Sequence, residues 1–150
     1  MWAVIPIKNL NETKHRLKSA LNPQERRDFF VEMFEDVLTT LLSVPELEQV
    51  TVATVCPIAG KIAKKYGTSV LFTEKDEGQT AAVTRTAEIL ESKRVAKMLM
   101  LPGDVPLVTV EEIQTVIATH ENASSTPDIP AMTIVPARDE QGSNCIVLSP

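Results

Sequence analysis

Hydrophobic and polar positions alternate along this chain in blocks that change period several times. Trp2–Ile7 (WAVIPI) is a short apolar run that reads as a strand entering a core almost at once. Asn22-Pro23 then signals a helix start, an Asn cap followed by Pro at the first helical position. Phe29, Phe30, Met33, Phe34, Val37, Leu38, Leu41 and Leu42 follow at helical spacing, which predicts a long amphipathic helix ending near Ser43 with all eight on its core stripe. Residues 49–55 (QVTVATV) form a β-branched run and a second strand. A short helix begins at Cys56-Pro57 and stops at Gly67, a residue suited to the left-handed C-terminal position. Residues 68–73 make a third strand, and 74–78 a polar loop. Residues 79–93 form a helix and 96–101 a fourth strand. Thr109 with Glu112 three residues on forms a capping box for a helix through about His120, which is read as a C-terminal residue of that helix.

A turn-rich loop (122–129, NASSTPDI) leads to two more strands at 131–135 and 145–148. The order β-α-β-α-β-α-β-α-β-β predicts an α/β fold with a mainly parallel, doubly wound sheet covered on both faces. No internal repeat or boundary divides the 150 residues, so a single domain over 1–150 is expected. The chain ends at Pro150 directly after a core strand, which predicts a partial or naturally shortened protein whose exposed sheet edge invites pairing into a homodimer.

Composition narrows the functional classes. Hydrophobic residues make up 43% and charged residues 23%, ordinary values for a globular protein. No apolar run approaches a membrane span, and the N-terminal run is too short and lacks the basic flank of a signal peptide, so a cytoplasmic location and no membrane partner are expected. Cys56 and Cys145 match no metal spacing and read as free buried thiols. A net charge of −5 argues against nucleic acid as a partner. Yet Lys8, Lys14, Arg16 and Lys18 cluster early, which suits a specific small anion better than a polyanion.

Several familiar site motifs are missing: Walker A, G-x-G-x-x-G, the nucleophile elbow and H-E-x-x-H. What remains is a set of loops at strand ends. Residues 8–18 (KNLNETKHRLK) offer cations that can be spaced along a triphosphate, or simply a solvated basic loop. Gly78, Gln79 and Thr80 stand at a helix start, where backbone N–H groups can meet an anion or a base, or merely cap a helix. Pro102, Gly103 and Asp104 break off the fourth strand, and a carboxylate there can hold a divalent metal or serve as a turn residue. Gly142, Ser143 and Asn144 open the last strand, suited to close approach of a phosphate or to a plain hairpin.

Taken together, in order and spacing over essentially the whole chain, these segments resemble one family: the guanylyltransferases of deazaflavin coenzyme (F-420) biosynthesis. AVIPIKNLNETKHRL resembles that family's first strand and phosphate loop, and Leu21-Asn22-Pro23-Gln24-Glu25-Arg26 its "L-S-P-x-E-R". LPGDVPLVT is similar to its "L-P-A-D-L-P-L-L", and ARDEQGSNCIVL to its "D-R-x-G-x-G-T-N-A-L". The resemblance implies a nucleotide-diphospho-sugar transferase fold of the GT-A type. It also implies Mg²⁺-dependent transfer of GMP from GTP to 2-phospho-L-lactate, phosphoenolpyruvate or 3-phosphoglycerate, with release of pyrophosphate. On that reading Lys8, Lys14, Arg16 and Asp104 are the catalytic residues, with Asp104 the metal ligand. Pro6, Gly78, Gln79, Thr80, Pro102, Gly103, Gly142, Ser143 and Asn144 bind nucleotide or acceptor.

Two departures qualify the match. The family's "G-L-N-x-A" is replaced by Gly78-Gln79-Thr80-Ala81-Ala82, which removes an amide that pairs a donor with an acceptor. The family's late acidic motif, expected to supply a second metal carboxylate, is absent from these 150 residues. Two alternatives therefore stay open: a nucleotidyltransferase using CTP, and an inactive or partial homologue that binds nucleotide or a partner without turnover.

Overall fold

The computed structural model describes residues 1–10, 17–72, 79–123, 129–138 and 142–149. Their elements are β1 (Trp2–Ile7), α1 (Pro23–Leu42), β2 (Gln49–Thr54), α2 (Pro57–Lys65), β3 (Ser69–Phe72), α3 (Gln79–Ser92), β4 (Met98–Met100), α4 (Val110–Ala123), β5 (Ala131–Pro136) and β6 (Ser143–Ser149). The helix ends form where local chemistry satisfies their backbone groups. The Asn22 side chain accepts from the N–H of Gln24 and Glu25, and Glu25 accepts from the N–H of Asn22 at 2.7 Å. Thr109 and Glu112 make the same reciprocal pair at the start of α4. At the end of α2, Gly67 adopts φ +77° while Thr68 N–H reaches back to the Ala63 carbonyl. That is a Schellman stop, as the sequence predicts.

The six strands form one sheet in the order β3-β2-β1-β4-β6-β5. β1 pairs in parallel with both β2 and β4, and β2 with β3, whereas β6 runs antiparallel between β4 and β5. The chain therefore winds outward from β1 to β3, then returns to the other side of β1 at β4. The carboxyl ends of β1 and β4 flank that reversal, which is where α/β sheets of this kind bind ligands.

Alternate strand residues face two unequal layers. Ala3, Ile5 and Ile7 pack with Val50, Val52, Leu99, Leu101 and Val147 beneath α1, α2 and α4. Val4, Ala53 and Met98 meet Leu90, Val83 and Ala87 of α3 on the other side. Coverage of both faces is thus only partly realised. Among the described residues no helix lies over the α3 face of β5, where Met132 is 61% and Ile134 53% exposed. The predicted stripe of α1 also needs correction. Phe30 and Phe34, one turn apart, are buried with their rings 6.4 Å apart, but Phe29 and Leu42 lie on the exposed flank. Eight positions span a wider arc than one packed face of a helix.

His120 does more than end a helix. Its side chain is fully buried, with Nδ1 2.9 Å from the Thr133 hydroxyl and Nε2 3.0 Å from the Ser149 hydroxyl, so it ties α4 to both β5 and β6. A neutral ring donates from one nitrogen and accepts at the other. Burial pushes its pKa below the ordinary value, with a smaller opposing pull from Glu121 and a small further push from Lys97. The folded protein thus holds His120 neutral while the unfolded chain protonates below about pH 6.5. The resulting stability is present above that pH and is lost as pH falls through the lowered folded value. His120→Leu should cost about 1–3 kcal/mol at pH 7.5 by orphaning two hydroxyls. It should also flatten the decline of the urea midpoint between pH 7 and 5. An equal decline in both proteins removes His120 as its cause.

Candidate functional site

The site is built where β1 and β4 end side by side. Pro6 and Ile7 close β1, and Lys8 follows as an exposed cation. β4 stops at Met100, Leu101 N–H bonds the Val4 carbonyl at 3.1 Å, and Pro102 turns the chain out of the sheet. Gly103 then lies buried against β1: a Cβ placed on it would stand 2.3 Å from Ile7 Cδ1. Asp104 emerges exposed immediately after. Candidate cation and candidate carboxylate thus each follow a residue of one packed junction. Further along, the Thr40 hydroxyl of α1 donates to the Val108 carbonyl at 3.4 Å and anchors the descending half of the same loop.

The antiparallel direction of β6 brings its beginning to this edge. Met100 pairs with Ile146, so two residues further on Pro102 and Asn144 stand at the same level. Ser143 is half-buried and Asn144 exposed, and the Gly142 carbonyl accepts from Ala137 N–H at 2.8 Å, closing the hairpin from β5. Residues 102–104 and 142–144, about forty apart in sequence, therefore share one rim with Lys8.

Not every candidate belongs to the described residues. Lys14, Arg16 and Gly78 lie outside them, while Gln79 and Thr80 are the first residues of α3. α3 ends beside the start of β1, where Lys93 lies over the Trp2 ring, so its first turn points toward the site edge. The basic loop resumes at Leu17, and Arg26, the one charged side chain counted as buried among the described residues, donates to the Leu21 carbonyl at 2.8 Å. Arg138 was not singled out by sequence reasoning. It follows β5 at the same rim, exposed, and the signal was available: a cation directly after a strand, as at Lys8.

Beside this rim a cleft of about 570 Å³ runs between the β4–α4 loop, the first turns of α4 and the β5–β6 hairpin. Leu101, Val105, Val116 and Val135 give it apolar walls, Asn144 stands at one end and Glu111 and Glu112 line the α4 side. Cys145 is also in the wall, but burial pushes its thiol up to about 12 against a weaker backbone hydrogen bond from Ile146. It stays protonated and cannot serve as a nucleophile near neutral pH. The two cysteines are free and buried, as expected.

Among the described residues no group of three or more His, Cys, Asp or Glu side chains is placed to hold a metal. That donor set does not suit a self-contained metal cage. Asp104 offers one exposed carboxylate at this rim, the ligand type Mg²⁺ takes when substrate phosphates and water complete its shell. No helix among the described residues is long and apolar enough to cross a membrane.

Comparison with known proteins bears on the fold and the family. The profile of the family described as "Guanylyl transferase CofC like" matches residues 1–150. A phosphoenolpyruvate guanylyltransferase of Conexibacter woesei is 28% identical over 149 residues, covering 99% of this chain and 65% of that protein. A 2-phospho-L-lactate guanylyltransferase of Methanobrevibacter ruminantium is 23% identical over 158 residues, covering 100% of this chain and 64% of its own. The chain thus spans a little under two thirds of the length of these relatives. A solved cytidylyltransferase from Leptospira borgpetersenii superposes with a TM-score of 0.66 at 18% identity, covering 99% of this chain and 59% of the other, which shows a shared nucleotidyltransferase fold.

Proposed function

The chain belongs to the CofC-like guanylyl transferase family, and from that membership we propose that it is a nucleotidyltransferase domain that moves GMP from GTP onto the phosphate of a phosphorylated three-carbon acid. Phosphoenolpyruvate and 2-phospho-L-lactate, the acceptors in the relatives' names, lead the list, with 3-phosphoglycerate third. Such a reaction has its place in coenzyme F-420 biosynthesis, in the cytoplasm, and asks for neither nucleic acid nor membrane. One observation carries the reading: a cation after β1, a carboxylate after β4 and the small polar run at the start of β6 share one rim at the sheet's topological reversal.

The chemistry asks little more of the protein. An acceptor phosphate oxygen attacks the α-phosphorus of GTP in line, and the bond to the bridging oxygen breaks to release pyrophosphate. Both reactants are anionic, so positioning and charge neutralisation supply most of the acceleration. Lys8 would hold the triphosphate with Lys14 and Arg16, and Asp104 would hold Mg²⁺. When bound, Mg²⁺ supplies charge neutralisation on the transferred and departing phosphates. Backbone at Pro102 and Gly103 and the first turn of α3 at Gln79 and Thr80, preceded by Gly78, would receive the nucleotide beside Pro6. Gly142, Ser143 and Asn144 would receive the acceptor. The acidic α4 side of the cleft repels a phospho-acid, so the acceptor belongs at the Asn144 end.

The test is pyrophosphate release with Mg²⁺, each of the four nucleoside triphosphates, and each of the three acceptors. Release with GTP and one three-carbon acid is expected. Turnover with CTP and not GTP would overturn the nucleotide assignment. Nucleotide binding without release in any pairing would make the chain a binding homologue.

A further inference from the structure

Gly103 is required by space rather than by backbone conformation. Its φ lies outside the left-handed region, since Gly67 is the one described glycine with positive φ. What excludes a side chain is contact: a Cβ there would meet Ile7 Cδ1 at 2.3 Å, Ile5 Cγ2 at 3.3 Å and Phe34 Cδ2 at 3.4 Å. The last two are tight but tolerable. The first is a collision with one atom, the terminal methyl of Ile7, a buried residue held among Ile5, Leu10 and Phe34 in the larger core. We infer that Ile7 and Gly103 are a complementary positioning pair, in which the Ile7 methyl fills the place of a Cβ at 103 and so fixes the distance between the loops that carry Lys8 and Asp104.

The physical reason is sequence adjacency at a rigid contact. Ile7 is the last residue of β1, with Lys8 next, and Gly103 directly precedes Asp104. Close-packed interiors transmit a displacement instead of absorbing it. Adding a methyl at 103 must therefore push the Pro102–Asp104 turn off the end of β1 or drive Ile7 from its rotamer. The first outcome carries Asp104, the carboxylate that the guanylyltransferase reading places on Mg²⁺, away from Lys8, and the inference rests on that reading.

The test is a double-mutant cycle of Gly103→Ala, Ile7→Val and the two combined, followed by calorimetric titration with Mn²⁺ and GTP, by kcat, and by thermal unfolding. Gly103→Ala should weaken Mn²⁺·GTP binding about tenfold and lower kcat by about ten- to a hundredfold, as displacements near 1 Å do. Ile7→Val removes Cδ1, so the double variant should recover binding to within about threefold of the parent, a rescue that loss of packing alone does not produce. Should Gly103→Ala fail to fold, the double variant carries the test: parental affinity supports the pair, and lost affinity overturns it. Gly103→Ala binding like the parent, or a loss that Ile7→Val does not relieve, overturns the inference and leaves the guanylyltransferase reading standing. A parent protein that binds no Mn²⁺·GTP instead removes that reading and the positioning role with it, even if thermal unfolding still couples the two positions.

Discussion

Asp104→Asn is expected to lower kcat by about a thousandfold or more while leaving the fold in place. A thousandfold corresponds to about 4 kcal/mol of transition-state stabilisation, within what a correctly held divalent cation contributes. The change is isosteric and replaces an ionic ligand by a weak neutral one, so the loss falls on charge and not on shape. Asp104 is exposed beyond the end of β4, and its turn is held by the packing of Gly103 against Ile7 and by the Thr40–Val108 hydrogen bond. Thermal unfolding should therefore move by no more than about 2 °C. Raising Mg²⁺ tenfold should restore part of the lost rate, because an amide oxygen still offers a weak ligand. Near-parental activity in Asp104→Asn would remove the metal role. A loss that Mg²⁺ does not relieve, with a large fall in unfolding temperature, would make the residue structural.

Much of the fold that frames the candidate site was legible in the sequence, because its signals are local. A strand that halts at Pro102-Gly103-Asp104, an Asn22-Pro23 cap, and Gly67 at a helix end each announce themselves within a few residues, and each is found in place. What the sequence could not deliver is what depends on partners far along the chain. Nothing in residues 143–149 says that their strand runs against β4 and inserts between β4 and β5. Yet that reversal is what carries Asn144 to the rim beside Pro102. The 2.3 Å approach of Ile7 to a Cβ on Gly103 spans nearly a hundred residues and leaves no local trace. His120 was readable as a helix end but not as a bridge between two hydroxyls of the last two strands. Arg138 was missed for a different reason: a cation in a hairpin is ordinary until the hairpin is known to open at the edge of the candidate site. Hydrophobic periodicity likewise put Phe29 on a stripe whose true width it cannot measure.

Lys8→Met is expected to reduce kcat/KM by about a hundred- to a thousandfold, the range found when one fixed positive or donor group facing a developing anion is removed. The argument runs from placement. Lys8 is the first residue past β1, exposed, and carried by an Ile7 that the core holds firmly, so its ammonium is delivered to the rim by a rigid strand end. An exposed cation there contributes little to folding, and the variant should unfold like the parent. The nucleotide series separates the possible contacts. If Lys8 holds the β- and γ-phosphates, Lys8→Met should weaken GTP binding far more than GMP binding, and the difference should shrink as ionic strength rises, since screening already weakens an exposed contact. Lys8→Arg should keep part of the activity, because the charge remains while the point-like ammonium becomes a planar fork. Equal losses for GTP and GMP would move Lys8 to the α-phosphate. Parental kcat/KM in Lys8→Met would leave the triphosphate to Lys14 and Arg16, and the same GTP–GMP comparison on those two residues would then locate the contact.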